Sequence, residues 1–244
     1  MDTRRWDHKQ SVKEVVRHLL YPAGLFTLLQ RRRMRRGFKT DHLQAKDRAA
    51  RFRQIYEIGV WRHEVDQEAG SGLGSELSRT NTIRTDLPRI LSELGVETLV
   101  DVGCEDWTWM SQVALPCRYV GLDIVPEVVD RNTERFASDT VSFRHLDAVT
   151  EELPRCDAVL CREVLFHLSF EDARRVLDNI ARNADWVIVT TDTGVWFNSN
   201  IPSGDFRPVN LQRPPFSFGA PAHWIMDDEL VAFRRLGVWP MSGG

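Results

Sequence analysis

The run Leu99-Val-Asp-Val-Gly-Cys-Glu-Asp-Trp-Thr-Trp-Met110 decides the fold. It begins as a short apolar strand ending near Asp101, turns at Gly103, and predicts a helix over about 107–114. Twenty residues past Gly103, Asp123 closes a second apolar run in YVGLDIVPE. A glycine turn lets backbone approach a ligand closely, and an acid at the end of the next strand can bind both hydroxyls of a ribose.

Outward from this pair, strands are expected at 97–102, 118–122, 141–145, 157–161 and 185–190, with further helices at 126–136 and 170–182. The strands are apolar runs without clean alternation, as in a parallel sheet covered on both faces. Alternating strands and helices imply a Rossmann-like, doubly wound α/β sheet that binds ligands at the carboxyl ends of its strands. Upstream, residues 76–94 read as a helix closed by Gly95. Helical spacing at Val12, Val15, Val16 and Leu19, and again from His42 to Val60, makes the N-terminus a helical extension. Downstream, 193–221 is rich in proline and glycine, and 229–239 reads as a last strand. The expected division is a helical extension (1–63), a glycine/serine loop and helix over the ligand (64–95), the core (96–191), and an acceptor loop with final strands (192–244).

Composition narrows the class. The chain has 244 residues, 42% hydrophobic and 27% charged, enough for a packed core. The longest mainly apolar stretch, Tyr21 to Leu29, is too short to cross a bilayer, and no apolar run follows the charged first residues, so a cytoplasmic protein is expected. Cys104, Cys117, Cys156 and Cys161 lack zinc or disulfide spacing. Net charge is −3, but residues 1–60 hold 15 Lys/Arg against 6 Asp/Glu, peaking at Arg31–Arg36. That cluster suits an anionic partner or a solvated helix face, and no nucleic-acid motif accompanies it.

Two features choose the cofactor. Glu105 and Asp106 follow Gly103 and would repel the diphosphate of a dinucleotide. S-adenosylmethionine (SAM) has no phosphate, and its sulfonium and ammonium tolerate carboxylates. Asp147, beyond the third strand in FRHLDAV, is positioned to accept from an adenine amino group.

DVGCEDW (101–107), GLDIVP (121–126), HLDA (145–148) and CDAVLCREVLFHL (156–168) resemble, in order and spacing, the first four motifs of class I SAM-dependent methyltransferases. The resemblance covers about residues 76–191 and implies cofactor contacts at Asp101, Gly103, Asp123, Asp147 and the Cys161–Arg162 strand end. Glu105 departs from it, standing where that family usually has glycine; a left-handed residue there costs roughly 1–2 kcal/mol. A narrower similarity links SGLGSELSRTNTIRTDLPRIL and GDFRPVNLQRPPF to bacterial sugar and polysaccharide methyltransferases, such as the mannoside O-methyltransferases of mycobacterial methylmannose polysaccharide synthesis. Ser75 and Arg84, in and beyond the glycine loop, are candidates to close over the cofactor and neutralise its carboxylate; a linker with a helix cap is the alternative.

The expected activity is methyl transfer to a hydroxyl of a sugar or oligosaccharide. The alternatives are another small hydroxylated metabolite, or a SAM-binding protein that has lost catalysis. A sugar hydroxyl does not ionise unaided near neutral pH, so a base or a metal is needed. His167 is the leading base and Glu163 the second, with Arg162 beside them in CREVLFHLS; a core histidine is the competing reading. Asp205, Arg207, Asn210, Gln212 and Arg213 in the 198–216 stretch suit a polyol, with Trp196 or Trp224 for stacking. Asp192 and Asp205 are candidate ligands for a divalent cation such as Mg. No nucleic-acid partner and no membrane span are expected, and homo-oligomerisation is left open.

Overall fold

The computed structural model describes residues 41–60, 73–227 and 233–241. The periodic stretch around Val12–Leu19 and the basic cluster at Arg31–Arg36 lie outside the described residues. Seven strands form one sheet: β1 (Thr98–Val102), β2 (Arg118–Asp123), β3 (Val141–His145), β4 (Cys156–Cys161), β5 (Ala184–Asp192), β6 (His223–Met226) and β7 (Arg234–Pro240). Their order is β3-β2-β1-β4-β5-β7-β6. The first five are parallel, with Asp101 opposite Gly121 and Leu160, whereas β7 runs antiparallel between β5 and β6.

Four helices flank it: α1 (Arg48–Ile58), α2 (Asn81–Glu93), α3 (Pro126–Phe136) and α4 (Phe170–Asn183). Alternate residues of each central strand face opposite layers. Ile83, Leu87, Ile90 and Leu91 of α2 pack with Leu99, Leu160, Ile188 and Val238. On the other face Ala173, Val176, Leu177 and Ile180 of α4 pack with Val100, Val102, Val159, Val187 and Val189. The ends are set locally. Asp47 caps α1 by accepting from the Ala50 N–H, and Gly59 ends it in the left-handed conformation. Ser169 caps α4 through the Asp172 N–H.

The Rossmann-like doubly wound sheet expected from the sequence is therefore present, with local corrections; the helix expected over 76–94 begins only at Asn81, after a 3-10 turn at Leu77–Arg79. The helix expected over 107–114 is only a short 3-10 turn at Met110–Gln112. Trp107 sits at φ 57, which no helix continues through, and its ring packs on Tyr119, Phe136 and Phe143. Of the last strand expected over 229–239, the described part is β7, and a further strand, β6, precedes it at the sheet edge.

Candidate cofactor and active site

The carboxyl ends of β1, β2 and β4 open into a cavity. Gly103, Glu105, Asp123, Asp147, Glu163, Val164 and His167 line it from the strand ends, and Arg48, Phe52 and Tyr56 of α1 line it from outside the sheet. Its first wall depends on Gly103, at φ 74: a Cβ there would stand 2.5 Å from the Val164 Cγ2. The Gly103 and Cys104 N–H groups both donate to the Leu122 carbonyl, at 2.8 and 3.0 Å, which ties this loop to β2.

Glu105 also takes a left-handed conformation, φ 55. Its N–H donates to Asp123 Oδ2 at 3.2 Å, its carbonyl accepts from Asn132 Nδ2 at 2.6 Å, and its Oε2 accepts from the Ser75 hydroxyl at 2.5 Å. Burial pushes its carboxyl up to about 8, opposed by the Ser75 hydrogen bond and reinforced by Asp106. Asp123, also buried, rises to about 6 even though backbone N–H groups of Val125 and Glu105 bond to it. Burial raises the Tyr56 hydroxyl, with Asp123 and Glu105 adding to the effect, so it stays neutral.

At the opposite end Arg48 reaches across from α1. Its Nη2 and Nε donate to Asp147 at 2.5 and 3.3 Å, and its Nη1 donates to Asp172 at 3.1 Å. Ser203 and Gly204 extend this attachment, because Arg51 donates to the Ser203 carbonyl at 3.0 Å and His42 Nε2 lies 3.0 Å from the Gly204 oxygen.

The loop after β4 forms a further wall of the cavity. Glu163 has φ 58 and accepts from Arg234 Nη1 at 2.6 Å. Burial works against its ionisation, but Arg234 and Arg162 outweigh it and hold the carboxyl below the usual range. Arg162 is buried; its Nε donates to Asp227 at 2.6 Å and its Nη2 to the Gly74 carbonyl at 2.6 Å. A side chain at Gly74 would meet Glu163 Oε2 at 2.5 Å, so glycine is what lets this turn close on the carboxylate. His167 lies 3.0 Å from the Asp205 carbonyl through Nδ1, and burial lowers it to about 4.

Of the residues singled out from the sequence, Gly103, Asp123, Asp147, Glu163 and His167 meet at the cavity. Ser75 stands behind Glu105, and Arg162 joins the Gly74 turn to β6. Three others lie outside the cavity lining. Asp101 accepts from the Tyr119 hydroxyl at 2.6 Å, Cys161 is 0% exposed within β4, and Arg84 folds back onto Leu77 and Asn81 at the start of α2.

The 198–216 stretch departs most from expectation. Arg207, 0% exposed, donates to the Leu165 and Ser199 carbonyls. Asn210 donates to the Val195 carbonyl and accepts from the Gln212 N–H, while Asp205 accepts from the Phe206 N–H. Gln212 donates to the Gly219 carbonyl, which leaves Arg213 as the exposed member. The side chains of Asp205, Arg207, Asn210 and Gln212 thus bond to backbone in and around this irregular segment, and Arg213 is exposed. Among the described residues no group of three or more His, Cys, Asp or Glu could hold a metal ion, and no helix is long and apolar enough to cross a membrane. Sequence reasoning missed Arg48, Phe52 and Tyr56 as cavity residues; their helical period was visible, but not the partners 99 and 124 residues away that dock Arg48.

Comparison with known proteins adds to this geometry. A methyltransferase of Mycobacterium tuberculosis and one of Mycobacterium bovis, neither of characterised activity, are each 36% identical over 90 residues, or 36% of this chain and 45% of theirs. The chain thus matches about half the length of these curated relatives. Among solved structures, the N-methyltransferase NodS of Bradyrhizobium japonicum WM9 aligns with TM-score 0.45 and 18% identity over 60% of this chain and 74% of that one. The mitomycin 7-O-methyltransferase MmcR aligns with TM-score 0.49 and 17% identity over 64% of this chain and 53% of that one. Residues 100–184, the segment that contains Gly103, Asp123, Asp147, Glu163 and His167, match the family model described as a methyltransferase domain.

Proposed function

We propose that this chain is a SAM-dependent O-methyltransferase acting on a hydroxyl of a sugar or oligosaccharide. One observation carries the cofactor half of the reading. Four carboxyl groups, those of Glu105, Asp123, Asp147 and Glu163, line the cavity with a single guanidinium, Arg48, and Glu105, raised to about 8 by burial, gives up its proton near neutral pH only beside a cation. Such a lining favours a cationic ligand and disfavours a diphosphate. Asp123 is the residue to bind the ribose hydroxyls, the Gly103 turn admits the ligand's backbone-facing edge, and Asp147 stands at the adenine end beside Arg48. When bound, SAM supplies an electrophilic methyl group on a sulfonium.

The rest of the reaction is a problem of alignment and proton removal. A carbonyl oxygen only accepts, so the contact with Asp205 puts a proton on His167 Nδ1 and leaves the lone pair on Nε2. Because burial keeps the ring neutral, His167 is in its basic form throughout the neutral range. Arg234 keeps Glu163 ionised beside it, where the carboxylate stabilises the imidazolium that proton transfer creates. A carbohydrate acceptor is supported by Trp196, 60% exposed just past β5, as a face for a sugar ring, and by the motif similarity of 198–216.

Incubation with methyl-labelled SAM and a panel of mannosides, other sugars and non-carbohydrate hydroxyl compounds, with and without Mg or a chelator, tests the reading. Label in a sugar ether is expected. Label only in amines or in non-sugar metabolites would overturn the acceptor class, and binding of SAM without transfer to any acceptor would favour a catalytically inactive binding protein.

A further inference from the structure

Glu105 lines the cavity from a turn where a non-glycine residue is strained. Its backbone bears a left-handed conformation that glycine would adopt at no cost, φ 55. Three separate elements nevertheless hold it: Asp123 at the end of β2, Asn132 on α3, and Ser75 in the turn before α2. The side chain is thereby fixed at the wall of the cavity.

We propose that Glu105 selects a cationic cofactor over its uncharged-sulfur product, so that SAM binds more tightly than S-adenosylhomocysteine. This rests on the SAM reading above. The two ligands share adenine, ribose, ammonium and carboxylate and differ only in the methyl group and the positive charge on sulfur. A residue that tells them apart responds to the methyl group or to that charge, and a carboxylate in a low-dielectric cavity responds strongly to the charge.

The neighbouring cations are committed elsewhere. Arg162 is bonded to Asp227, Arg234 to Glu163, and Arg48 to Asp147 and Asp172. Facing Glu105 are Asp106 and Cys104 on its own loop, Asp123 on β2, Tyr56 on α1, and Glu163 and Arg162 after β4. The acids among them outnumber the single guanidinium. Burial in this setting pushes Glu105 up to about 8. A sulfonium entering the cavity favours the ionised form, so binding near pH 7 transfers the Glu105 proton to buffer. S-adenosylhomocysteine lacks the sulfonium and releases less.

Titration calorimetry on the full chain tests this, with SAM and with S-adenosylhomocysteine, at pH 6.5 and 8.5, in phosphate and in Tris. The wild-type preference for SAM is expected to grow by roughly tenfold between these pH values, with a larger buffer-dependent heat for SAM than for S-adenosylhomocysteine. Glu105→Gln and Glu105→Gly should both abolish the pH-dependent preference while still binding S-adenosylhomocysteine; the glycine variant also relieves the left-handed backbone, which guards against a folding defect. If both variants keep the wild-type ratio at each pH, Glu105 is not the selector although the cofactor reading stands. If the wild-type chain binds neither ligand, the cofactor reading itself fails, and this inference with it.

Discussion

The imidazole Nδ1 of His167 lies 3.0 Å from the backbone oxygen of Asp205, while the Gly204 N–H returns a bond to the His167 carbonyl at 2.8 Å. The 203–205 turn therefore orients the histidine, and the same turn is gripped by Arg51 and His42 from the segment that covers the cavity. Cover, turn and histidine form one connected unit.

His167→Ala is expected to lower kcat by roughly 10²–10⁴-fold, with cofactor affinity near wild type. His167→Gln should do little better, because its amide cannot take a proton. The ring loses its basic form only as pH falls through about 4, so no His167 titration is expected in kcat/KM between pH 6 and 9. Single-turnover transfer across pH checks this; near-normal turnover in His167→Ala would return the residue to the core.

Arg48→Ala is expected to loosen α1. The ion pairs with Asp147 and Asp172 are 16–21% exposed, so their loss should cost about 1–2 kcal/mol, less than a fully buried pair. The readouts are a thermal midpoint lowered by roughly 2–8 °C and faster amide exchange over 48–58. Unchanged exchange there would mean that Phe52 and Tyr56 hold the helix without the arginine.

Arg207→Ala should act on stability and not on acceptor recognition. It strands the buried Leu165 carbonyl and the part-buried Ser199 carbonyl and removes the cation from the face of Phe170, at a cost of roughly 2–4 kcal/mol. Denaturant unfolding measures that loss. A folded variant with a raised acceptor KM and full stability would restore the acceptor role that the sequence suggested.

Stability without ligand should fall as pH rises. Burial raises Asp101 to about 7, Glu105 to about 8 and Asp123 to about 6. Each binds its proton more tightly folded than unfolded. Between the unfolded carboxylate range near 4 and these values the native state holds more protons, so stability declines across that window. Thermal midpoints from pH 5 to 8 should fall in the wild type and fall less steeply in Glu105→Gln; parallel curves would contradict it.

The parallel half of the sheet was legible because β1, β2, β4 and β5 are buried apolar runs bounded by turns, and Gly103 and Asp123 mark the strand ends they sit on. What was hidden depends on distant partners. The four-residue strand His223–Met226 lies just beyond a proline-rich stretch and exists through pairing with β7. The expected helix after Gly103 fails because Trp107 turns into the aromatic cluster with Tyr119 and Phe143. The polar side chains of 198–216 looked like sugar ligands because composition does not say which way they point; in the structure Asp205, Arg207, Asn210 and Gln212 bond to backbone within the segment and at Leu165, Val195 and Gly219. Glu105 was visible as a departure from glycine, but its contacts with Ser75, Asp123 and Asn132 were not.

The account turns on a SAM site built around Asp123. The most direct test is titration calorimetry of the full chain with SAM and with NADH, repeated on Asp123→Ala after its fold is checked by circular dichroism. Loss of hydrogen bonds from a charged acceptor, worth roughly 1.5–3 kcal/mol, predicts one-to-one SAM binding weakened by about tenfold or more in the variant, and no NADH binding. Tight NADH binding, or SAM affinity unchanged in the folded Asp123→Ala protein, would contradict it.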